Sequence, residues 1–151
     1  MITYDVEPWQ QFKREAAHLW PRHWEEIAIN RDKIRLAVDY DRYDQLDATG
    51  QLHVVVARSD GEVVGYHLTL VQPHLHYADT LHGFTDVYYI AREFRRGRTG
   101  IDLFRFVEKS LKARGVKKLF TGTKLHMDMS ALFKRMGWTP TETLFTKYIG
   151  D

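Results

Sequence analysis

Arginine and glycine are concentrated in one short segment, residues 95–100, which reads Arg-Arg-Gly-Arg-Thr-Gly. An aromatic and β-branched run precedes it and an apolar pattern of helical spacing follows it, which predicts a turn between a strand and a helix. The first turn of a helix carries unpaired N–H groups and the positive end of the helix dipole, and glycine lets an anion approach that backbone closely. We therefore expect a phosphate-binding loop, with a basic connection that binds nothing as the alternative. The residues of this loop are Arg95, Arg96, Gly97, Arg98, Thr99 and Gly100.

The charge and composition of the chain limit what the loop can bind. Lys and Arg number 22 against 20 Asp and Glu, which gives a formal net charge of +2, and basic residues are concentrated between Arg92 and Lys118. Such a focused patch favours a small polyanion over a long duplex, so nucleic acid is the less favoured ligand. The absence of cysteine excludes disulfides, thiolate nucleophiles and zinc sites built on sulfur. No stretch approaches the roughly 18 apolar residues of a membrane span, so we expect a cytoplasmic protein without a membrane contact.

Five side chains are candidates for catalysis: Asp86, Tyr88, His74, His76 and His126. The two-residue period of a strand places Asp86 on one face with Phe84 and Tyr88, where a carboxylate among aromatic rings can have a raised pKa and act as a base. Tyr88 can position a substrate or donate a proton. The alternative for both residues is structural, as a hydrogen-bonded strand carboxylate and as a packing ring.

The histidines have several candidate roles. In an extended segment His74 and His76 lie on one face, where they can line a substrate pocket, act as a base, or begin a metal site with His82 or His126. A polar loop without a ligand is the ordinary alternative, and we expect no metal. His126 can also act as an acid or base near pH 7, or cap a short helix together with Asp128.

The elements that position these residues follow from periodicity and turn signals. Helices are predicted for residues 6–20, with Pro8 in the first turn and Pro21 ending or kinking the helix, and for residues 22–29, 99–114 and 130–136. Strands are predicted for residues 53–58, 63–70, 81–90, 118–122 and 143–148, with a hairpin turn at residues 59–61 and Pro73 closing the second strand. Residues 39–44 are expected to form helix and loop over the site. The order α, β, β, β, α, β, α, β predicts one α/β domain over residues 1–151.

The loop and its surroundings resemble the acetyl-CoA signature of the GNAT N-acetyltransferase superfamily, Arg/Gln-x-x-Gly-x-Gly/Ala. Neither the P-loop pattern nor the dinucleotide fingerprint is present. Arg95 has the first place of the signature and Gly100 the last, Arg98 stands where glycine is usual, and Phe94 fills the aromatic position before the arginine. The resemblance extends from about Leu52 to Tyr148. It implies an α/β (α+β) fold with a mixed, mostly antiparallel central sheet, flanking helices, and strands that splay at the acyl-CoA site.

The resemblance also implies a reaction, with acetyl-CoA as co-substrate. An amine attacks the thioester directly, a base removes the ammonium proton, and a backbone N–H at a strand bulge, here near Ile90, stabilises the oxyanion. His126 stands where the family has an asparagine that contacts the pantetheine, and Phe133 stands where it has a tyrosine that protonates the departing thiolate. The residues implied to contact the cofactor outside the loop are Tyr88, Tyr89, Ile90, His126 and Phe133.

Phenylalanine cannot donate a proton, and this leaves two functions open. One is an acetyl-CoA-dependent N-acyltransferase that acts on a small-molecule amine or on a protein lysine or N-terminus. The alternative is a GNAT-fold module that binds acyl-CoA or a protein partner without turnover. A homodimer is as compatible with the sequence as a monomer.

Overall fold

Five strands form one sheet in the computed structural model, which describes residues 1–151. The strands are β1 (Ile2–Val6), β2 (Leu52–Ser59), β3 (Glu62–His74), β4 (Tyr77–Ile90) and β5 (Lys118–Phe120). They lie side by side in chain order; β1 to β4 are antiparallel, and β5 runs parallel to β4. The prediction of a mixed, mostly antiparallel sheet is confirmed.

The β2–β3 hairpin forms at the turn that the sequence predicts. Asp60 and Gly61 have positive φ angles of 50° and 84°, in the region that glycine adopts freely and aspartate tolerates. A two-residue loop of this kind matches the twist of the strands on either side. It fixes the register of the two apolar runs, with Val56 opposite Tyr66.

Helices cover both faces of the sheet. They are α1 (Trp9–Glu15), α2 (Trp20–Ile27), α3 (Tyr40–Ala48), α4 (Thr99–Ala113) and α5 (Ser130–Arg135), with 3-10 turns at Ala17–Leu19 and Arg92–Phe94. The first three pack on one side, here the first face, around Trp9, Phe12 and Tyr66. The last two pack on the opposite side, here the second face, where Leu103 and Val107 are buried. No helix is both long and apolar enough to cross a membrane.

The chain begins with a strand, so the predicted start of a helix at residue 6 is wrong. Ile2–Val6 pairs along β2, with Tyr4 opposite Ala57. Pro8 has an extended backbone, with φ −61° and ψ 134°, and α1 starts after it at Trp9. A place beside β2 satisfies the backbone groups of the first residues, which a partial helical turn would leave unpaired.

The β3–β4 hairpin is longer than predicted. Pro73 lies within β3 and does not close it, because the strand runs to His74 and β4 begins at Tyr77. β2 begins at Leu52, opposite Leu70, so residue 73 has no β2 neighbour. Proline, which lacks an N–H, is tolerated at such a free edge.

The predicted strand at residues 143–148 is absent. Residues 139–151 contain no helix or strand, and their backbone makes no hydrogen bond with the rest of the chain. β5 ends at Phe120 and not at Gly122. The sheet therefore stops at β5, whose outer edge has no neighbouring strand.

Candidate functional site

β4 and β5 separate beyond Phe84 and leave a gap in the sheet. The two strands pair at three positions, the last being Phe84 against Phe120, whereas β4 continues to Ile90. The end of β4 therefore has no strand on this side, and alternate N–H and C=O groups face the gap. The hydroxyl of Tyr88 spans it and donates a hydrogen bond to the carbonyl of Gly122 at 2.7 Å. The predicted splay of the strands is confirmed.

Unpaired backbone N–H groups collect where the gap meets the start of α4. The amides of Gly97, Arg98, Gly100 and Ile101 have no acceptor in the chain. They open a helix of 15 residues, whose dipole adds positive potential at this end. Phosphate groups bind at helix starts of this kind.

One side of the loop is buried and hydrogen-bonded to the rest of the chain, and the other side is exposed to solvent. Thr99 is buried; its hydroxyl donates to the Arg96 carbonyl at 2.8 Å, and its own carbonyl accepts a hydrogen bond from the Tyr4 hydroxyl at 3.0 Å. Arg96, Gly97 and Arg98 are exposed. Gly97 has a φ of 56°, and a Cβ added there would meet no atom within 4 Å. The residues present therefore fit an anion such as a diphosphate.

The guanidinium of Arg95 is bound to groups beside the loop. Its Nε donates to the Ile90 carbonyl at 2.7 Å, and a terminal nitrogen donates to the Glu26 carboxylate at 2.6 Å. The guanidinium carbon also lies 5.4 Å from the centroid of the Tyr89 ring. Arg95 thus ties α2 to the end of β4, and its contact with a phosphate stays a prediction.

Glu26 joins three parts of the site, although the sequence analysis did not identify it. Its carboxylate, only 13% exposed, pairs with Arg95 and lies 3.7 Å from the Arg92 guanidinium. Its backbone carbonyl accepts a hydrogen bond from His126 Nε2 at 3.0 Å. The segment after β5 is thereby held against α2, across one side of the gap. A glutamate on a polar helix carries no local signal of such a role.

His126 does not cap α5, so that alternative is wrong. Asp128 makes the contacts at the start of the helix, because its carboxylate accepts hydrogen bonds from the N–H and the hydroxyl of Ser130 at 2.9 Å and 2.5 Å. The implied contact of His126 with pantetheine stays a prediction.

A β-bulge at Asp86 lies where the gap opens. The partners of Thr85 and Val87 are consecutive residues of β3, so Asp86 is the extra residue of β4. The expected bulge near Ile90 is therefore wrong in position. The bulge also resets the alternation of side chains: Asp86 contacts α3 on the first face, whereas Tyr88 lies on the second. The expected shared face of these two residues is wrong for this reason.

Asp86 is held by Tyr43 of α3. The Tyr43 hydroxyl donates a hydrogen bond to the Asp86 carboxylate. Partial burial raises the pKa of Asp86 above its ordinary value, and the hydrogen bond from Tyr43 acts in the opposite direction. The Tyr43 ring stacks on Trp9 with centroids 4.7 Å apart, which fixes the phenol. A carboxylate with a raised pKa beside an open gap is suited to accept a proton.

Tyr88 and Phe133 are neighbours in an aromatic cluster on the second face. Their ring centroids are 6.0 Å apart, and each lies 5.1 Å from the ring of Phe104. Phe133 is 7% exposed and also packs on Trp138. Burial raises the pKa of Tyr88, so its hydroxyl carries a proton at neutral pH. The phenol nearest to the place of Phe133 is thus Tyr88.

Tyr89 lies on the first face, opposite Tyr88. Its ring stacks on His23 at 4.9 Å, and His23 Nδ1 lies 2.9 Å from the Tyr66 hydroxyl. Burial lowers the pKa of His23 to about 4, so this imidazole is neutral at pH 7. The Tyr89 hydroxyl is buried without a hydrogen-bond partner. The side chains of Tyr89 and Ile90 are packing groups, and their backbone borders the gap.

His74 and His76 lie at the other end of β4 from the loop of residues 95–100. His74 ends β3 and His76 lies in the following turn, so the two do not share a strand face as predicted. His74 Nδ1 accepts a hydrogen bond from the His76 N–H at 3.0 Å. Its ring lies 5.3 Å from His82, in a row that continues through Phe84 to Phe120 at the gap. No three His, Cys, Asp or Glu side chains come together in a metal-binding group.

A cavity of about 930 Å³ opens beside the gap, between α2 and the 3-10 turn after β4. Glu25, Glu26, Arg92 and Met127 are among the residues of its wall. Carboxylates and guanidinium groups together make this a polar cavity, suited to a charged ligand.

The chain matches a family model described as Acetyltransferase (GNAT) family over residues 8–138. This range contains the gap, the bulge and the loop of residues 95–100. No curated protein sequence matches the chain significantly.

Solved acetyltransferase structures share this fold along the whole chain. The ribosomal-protein-alanine N-acetyltransferase of Brucella melitensis biovar Abortus 2308 superposes with a TM-score of 0.77 at 16% identity, covering 100% of this chain and 99% of that one. An aminoglycoside acetyltransferase from an uncultured soil sample has a TM-score of 0.74 at 15% identity and covers 99% of both chains. Glucosamine-6-phosphate N-acetyltransferase of Arabidopsis thaliana has a TM-score of 0.71 at 12% identity, with 98% and 99% covered. Similarity at these identities shows the fold alone.

Proposed function

The chain belongs to the acetyltransferase (GNAT) family, and from this premise we propose that it transfers an acetyl group from acetyl-CoA to the nitrogen of an amine. One observation carries the proposal: the unpaired amides of Gly97, Arg98, Gly100 and Ile101 open α4 beside the gap between β4 and β5. They are suited to bind the diphosphate of CoA, and the exposed guanidinium of Arg96 adds positive charge. When bound, acetyl-CoA supplies the activated thioester that an amine attacks.

The free edge of β4 is suited to hold the amide groups of the pantetheine arm. β5 pairs with β4 only as far as Phe84, so the edge of β4 from Thr85 to Ile90 has no partner strand. The N–H and C=O groups that point away from β3 are therefore available to an extended chain of amides, as they would be to an added strand, except for the Ile90 carbonyl, which accepts a hydrogen bond from Arg95. The segment with Gly122 and His126 forms the opposite side of the gap.

Asp86 is the proposed general base. An amine is mostly protonated near neutral pH, so it must lose a proton before its nitrogen can bond to the acetyl carbon. Asp86 accepts that proton and passes it to solvent. Its position at the bulge and the raised pKa of its carboxyl group support this role, and Tyr43 holds the carboxylate in place.

Tyr88 is the proposed proton donor to the sulfur that leaves when the carbon–sulfur bond breaks. Phe133 has no proton to give and is a packing residue. The Tyr88 hydroxyl lies in the gap, bonded to Gly122, and its raised pKa keeps it protonated. It takes a new proton from solvent after each cycle.

The acceptor is proposed to enter through the polar cavity beside α2. Glu25 in its wall is exposed and makes no ion pair within the chain, so its carboxylate can attract an ammonium group. The named relatives include enzymes for a ribosomal-protein alanine, an aminoglycoside and an amino sugar phosphate. A small-molecule amine and a protein N-terminus or lysine are both candidates for this chain.

One observation favours the second function, binding of acyl-CoA without turnover. Phe133 is buried among Phe104 and Trp138, so the position that the family uses for proton donation is packed and apolar here. If Tyr88 does not replace the missing phenol, the site can bind the cofactor and still fail to release its thiol.

A thiol-release assay separates the two functions. The chain contains no cysteine, so a thiol reagent reports only free CoA. We expect release above the rate of spontaneous hydrolysis with at least one amine of a panel that includes a polyamine, an aminoglycoside, an amino sugar and a peptide with a free N-terminus. Saturable CoA binding without release would favour the binding module, and the absence of CoA binding would contradict both functions.

A further inference from the structure

Charged side chains of both signs line the polar cavity beside α2, and they do not all neutralise one another. The cavity has a volume of about 930 Å³, in the range of small-molecule sites. The charged residues of its wall are three arginines and three glutamates: Arg22, Arg31, Arg92, Glu25, Glu26 and Glu93. The pairing of these charges indicates which ligand the cavity suits.

Two of the glutamates already have an arginine partner. Glu93 accepts two hydrogen bonds from the Arg22 guanidinium, at 3.2 Å and 2.8 Å. Glu26 accepts a hydrogen bond at 2.6 Å from Arg95, which lies outside the wall. These carboxylates are neutralised within the chain and need no counter-charge from a ligand.

Glu25 is the third glutamate, and it has no such partner. It is exposed and makes no ion pair within the chain. A carboxylate at the wall of a cavity attracts a cationic group. An amine that arrives as an ammonium ion can therefore bind at Glu25.

The guanidinium of Arg31 is held in place by backbone groups and by no carboxylate. It donates hydrogen bonds to the carbonyls of Ala28, at 3.2 Å, and Glu25. Its central carbon also lies 5.5 Å from the centroid of the Trp24 ring. The remaining N–H groups of Arg31 can bind an anionic group of a ligand.

Arg92 is the second guanidinium that a ligand can reach. Its side chain is 75% exposed, and the carboxylate nearest to it is that of Glu26, 3.7 Å away. Arg95 already binds the other oxygen of that carboxylate. Arg92 is therefore only weakly paired and can bind a carboxylate or phosphate of a ligand.

The wall of the cavity continues into one side of the gap between β4 and β5. Met127 in the wall follows His126, whose Nε2 bonds to the backbone carbonyl of Glu26 at 3.0 Å. The same segment contains Gly122, which accepts the hydrogen bond of Tyr88 across the gap. A ligand in the cavity therefore lies beside the place proposed for the pantetheine arm.

The unpaired charges of the wall are thus one carboxylate and two guanidinium groups. A simple amine or a polyamine would pair with Glu25 but would also bring positive charge towards Arg31 and Arg92. We propose that the acetyl acceptor is an amine that also carries an anionic group, with its ammonium at Glu25 and its carboxylate or phosphate at Arg31 and Arg92. This inference rests on the proposed acetyl transfer and specifies its acceptor without altering the reaction.

Thiol release with matched pairs of acceptors tests the proposal on the full chain. Glucosamine 6-phosphate is compared with glucosamine, and L-phenylalanine with phenethylamine, so that each pair differs in one anionic group. We expect kcat/KM to be roughly tenfold or more higher for the anionic member of at least one pair, as for a hydrogen bond between charged groups. A preference in one pair alone identifies the anion as phosphate or as carboxylate. Equal or lower values for both anionic members would overturn the proposal.

Substitution of the charged residues tests the placement of the two groups. Arg92→Gln should lower the preference for the anionic member by roughly tenfold, because it removes a charge that the anionic group contacts. Glu25→Gln should weaken the binding of both members about threefold, as for a solvent-exposed ion pair. Arg14→Gln is the matched control, since Arg14 is exposed on α1 and lies outside the wall. An unchanged preference in Arg92→Gln, or an equal loss in Arg14→Gln, would overturn the proposal.

Calorimetric titration without acetyl-CoA separates this inference from acetyl transfer itself. The anionic member of at least one pair should bind roughly tenfold more tightly than its neutral counterpart. Thiol release together with equal binding of both members would overturn the acceptor class and leave acetyl transfer standing. Preferential binding without thiol release from any amine would contradict acetyl transfer, and with it the role of the bound ligand as acceptor.

Discussion

The hydroxyl of Tyr43 on α3 donates a hydrogen bond to the carboxylate of Asp86, the extra residue at the bulge of β4. The contact joins residues 43 positions apart in the sequence. It couples a helix of the first face to the proposed general base, at the place where β4 and β5 separate. The protonation of Asp86 therefore depends on a side chain outside the sheet.

Removal of this hydrogen bond should change the pH dependence of acetyl transfer. The bond lowers the pKa of Asp86, so Tyr43→Phe raises that pKa. A general base works in its deprotonated form, and the rate therefore rises with pH through the Asp86 pKa. The acidic limb of the kcat/KM profile is expected to move to higher pH in Tyr43→Phe.

Two further variants complete this measurement. Tyr40→Phe, on the same helix and without a contact to Asp86, should leave the acidic limb in place. Asp86→Asn should lower kcat/KM by about 10²–10⁴-fold, the usual contribution of a general base. If the acidic limb is identical in Tyr43→Phe and the unmodified chain, protonation of Asp86 does not control kcat/KM, and the proposed role as general base is contradicted.

Exchange of the phenol between positions 88 and 133 tests the proposed proton donor. Tyr88→Phe should lower kcat by about 10²-fold with little change in the KM for acetyl-CoA, because the phenol acts only on the departing sulfur. The two rings are neighbours, so Tyr88→Phe/Phe133→Tyr should recover part of the lost rate. Full activity of Tyr88→Phe would exclude a role for its proton.

The Glu26–Arg95 pair should stabilise the fold more than the Arg22–Glu93 pair. The Glu26 side chain is 13% exposed and that of Glu93 is 53% exposed. Glu26→Gln leaves a partly buried guanidinium without its counter-charge, which should lower the free energy of unfolding by about 1–3 kcal/mol. Glu93→Gln removes a solvent-exposed charge and should change it little. Urea denaturation measures both, and the reverse order of effects would contradict the assignment.

Two buried tyrosine hydroxyls should respond oppositely to removal. The Tyr89 hydroxyl has no hydrogen-bond partner, whereas the Tyr66 hydroxyl lies 2.9 Å from His23 Nδ1. Tyr89→Phe should therefore keep or raise the melting temperature, and Tyr66→Phe should lower stability by about 1 kcal/mol. Calorimetry on the two variants checks the difference. A larger loss in Tyr89→Phe would mean that its hydroxyl is bonded in solution.

Local signals account for the parts of the fold that the sequence predicts correctly. Asp60-Gly61 specifies a two-residue hairpin, and apolar residues at helical spacing, such as Val107 and Leu111, specify α4. The strand–turn–helix geometry at residues 95–100 follows from the same local reasoning, because a strand, a glycine turn and a helix start are all visible in one short stretch. The contact of this loop with a phosphate stays a prediction. The unpaired amides of Gly97 and Gly100 are present as expected.

Features that depend on distant contacts could not be predicted in this way. The bulge at Asp86 arises from the register of β4 on β3, and the two-residue period assumed for the strand therefore placed Tyr88 on the wrong face. The Glu26–Arg95 pair joins residues 69 positions apart. Thr143–Tyr148 has strand propensity, but it does not pair with the free outer edge of β5, and propensity alone does not make a strand.

The most direct test of acyl-CoA binding compares CoA with acetyl-pantetheine, which lacks the diphosphate and the adenosine 3′-phosphate, in thermal unfolding of the full chain. Binding to the folded state stabilises it by about 2.7 kcal/mol at a ligand concentration of a hundred times Kd. We expect millimolar CoA to raise the melting temperature and acetyl-pantetheine to raise it far less, because the amides that open α4 hold the diphosphate. An unchanged melting temperature with CoA, or an equal rise with both compounds, would contradict the proposed cofactor site.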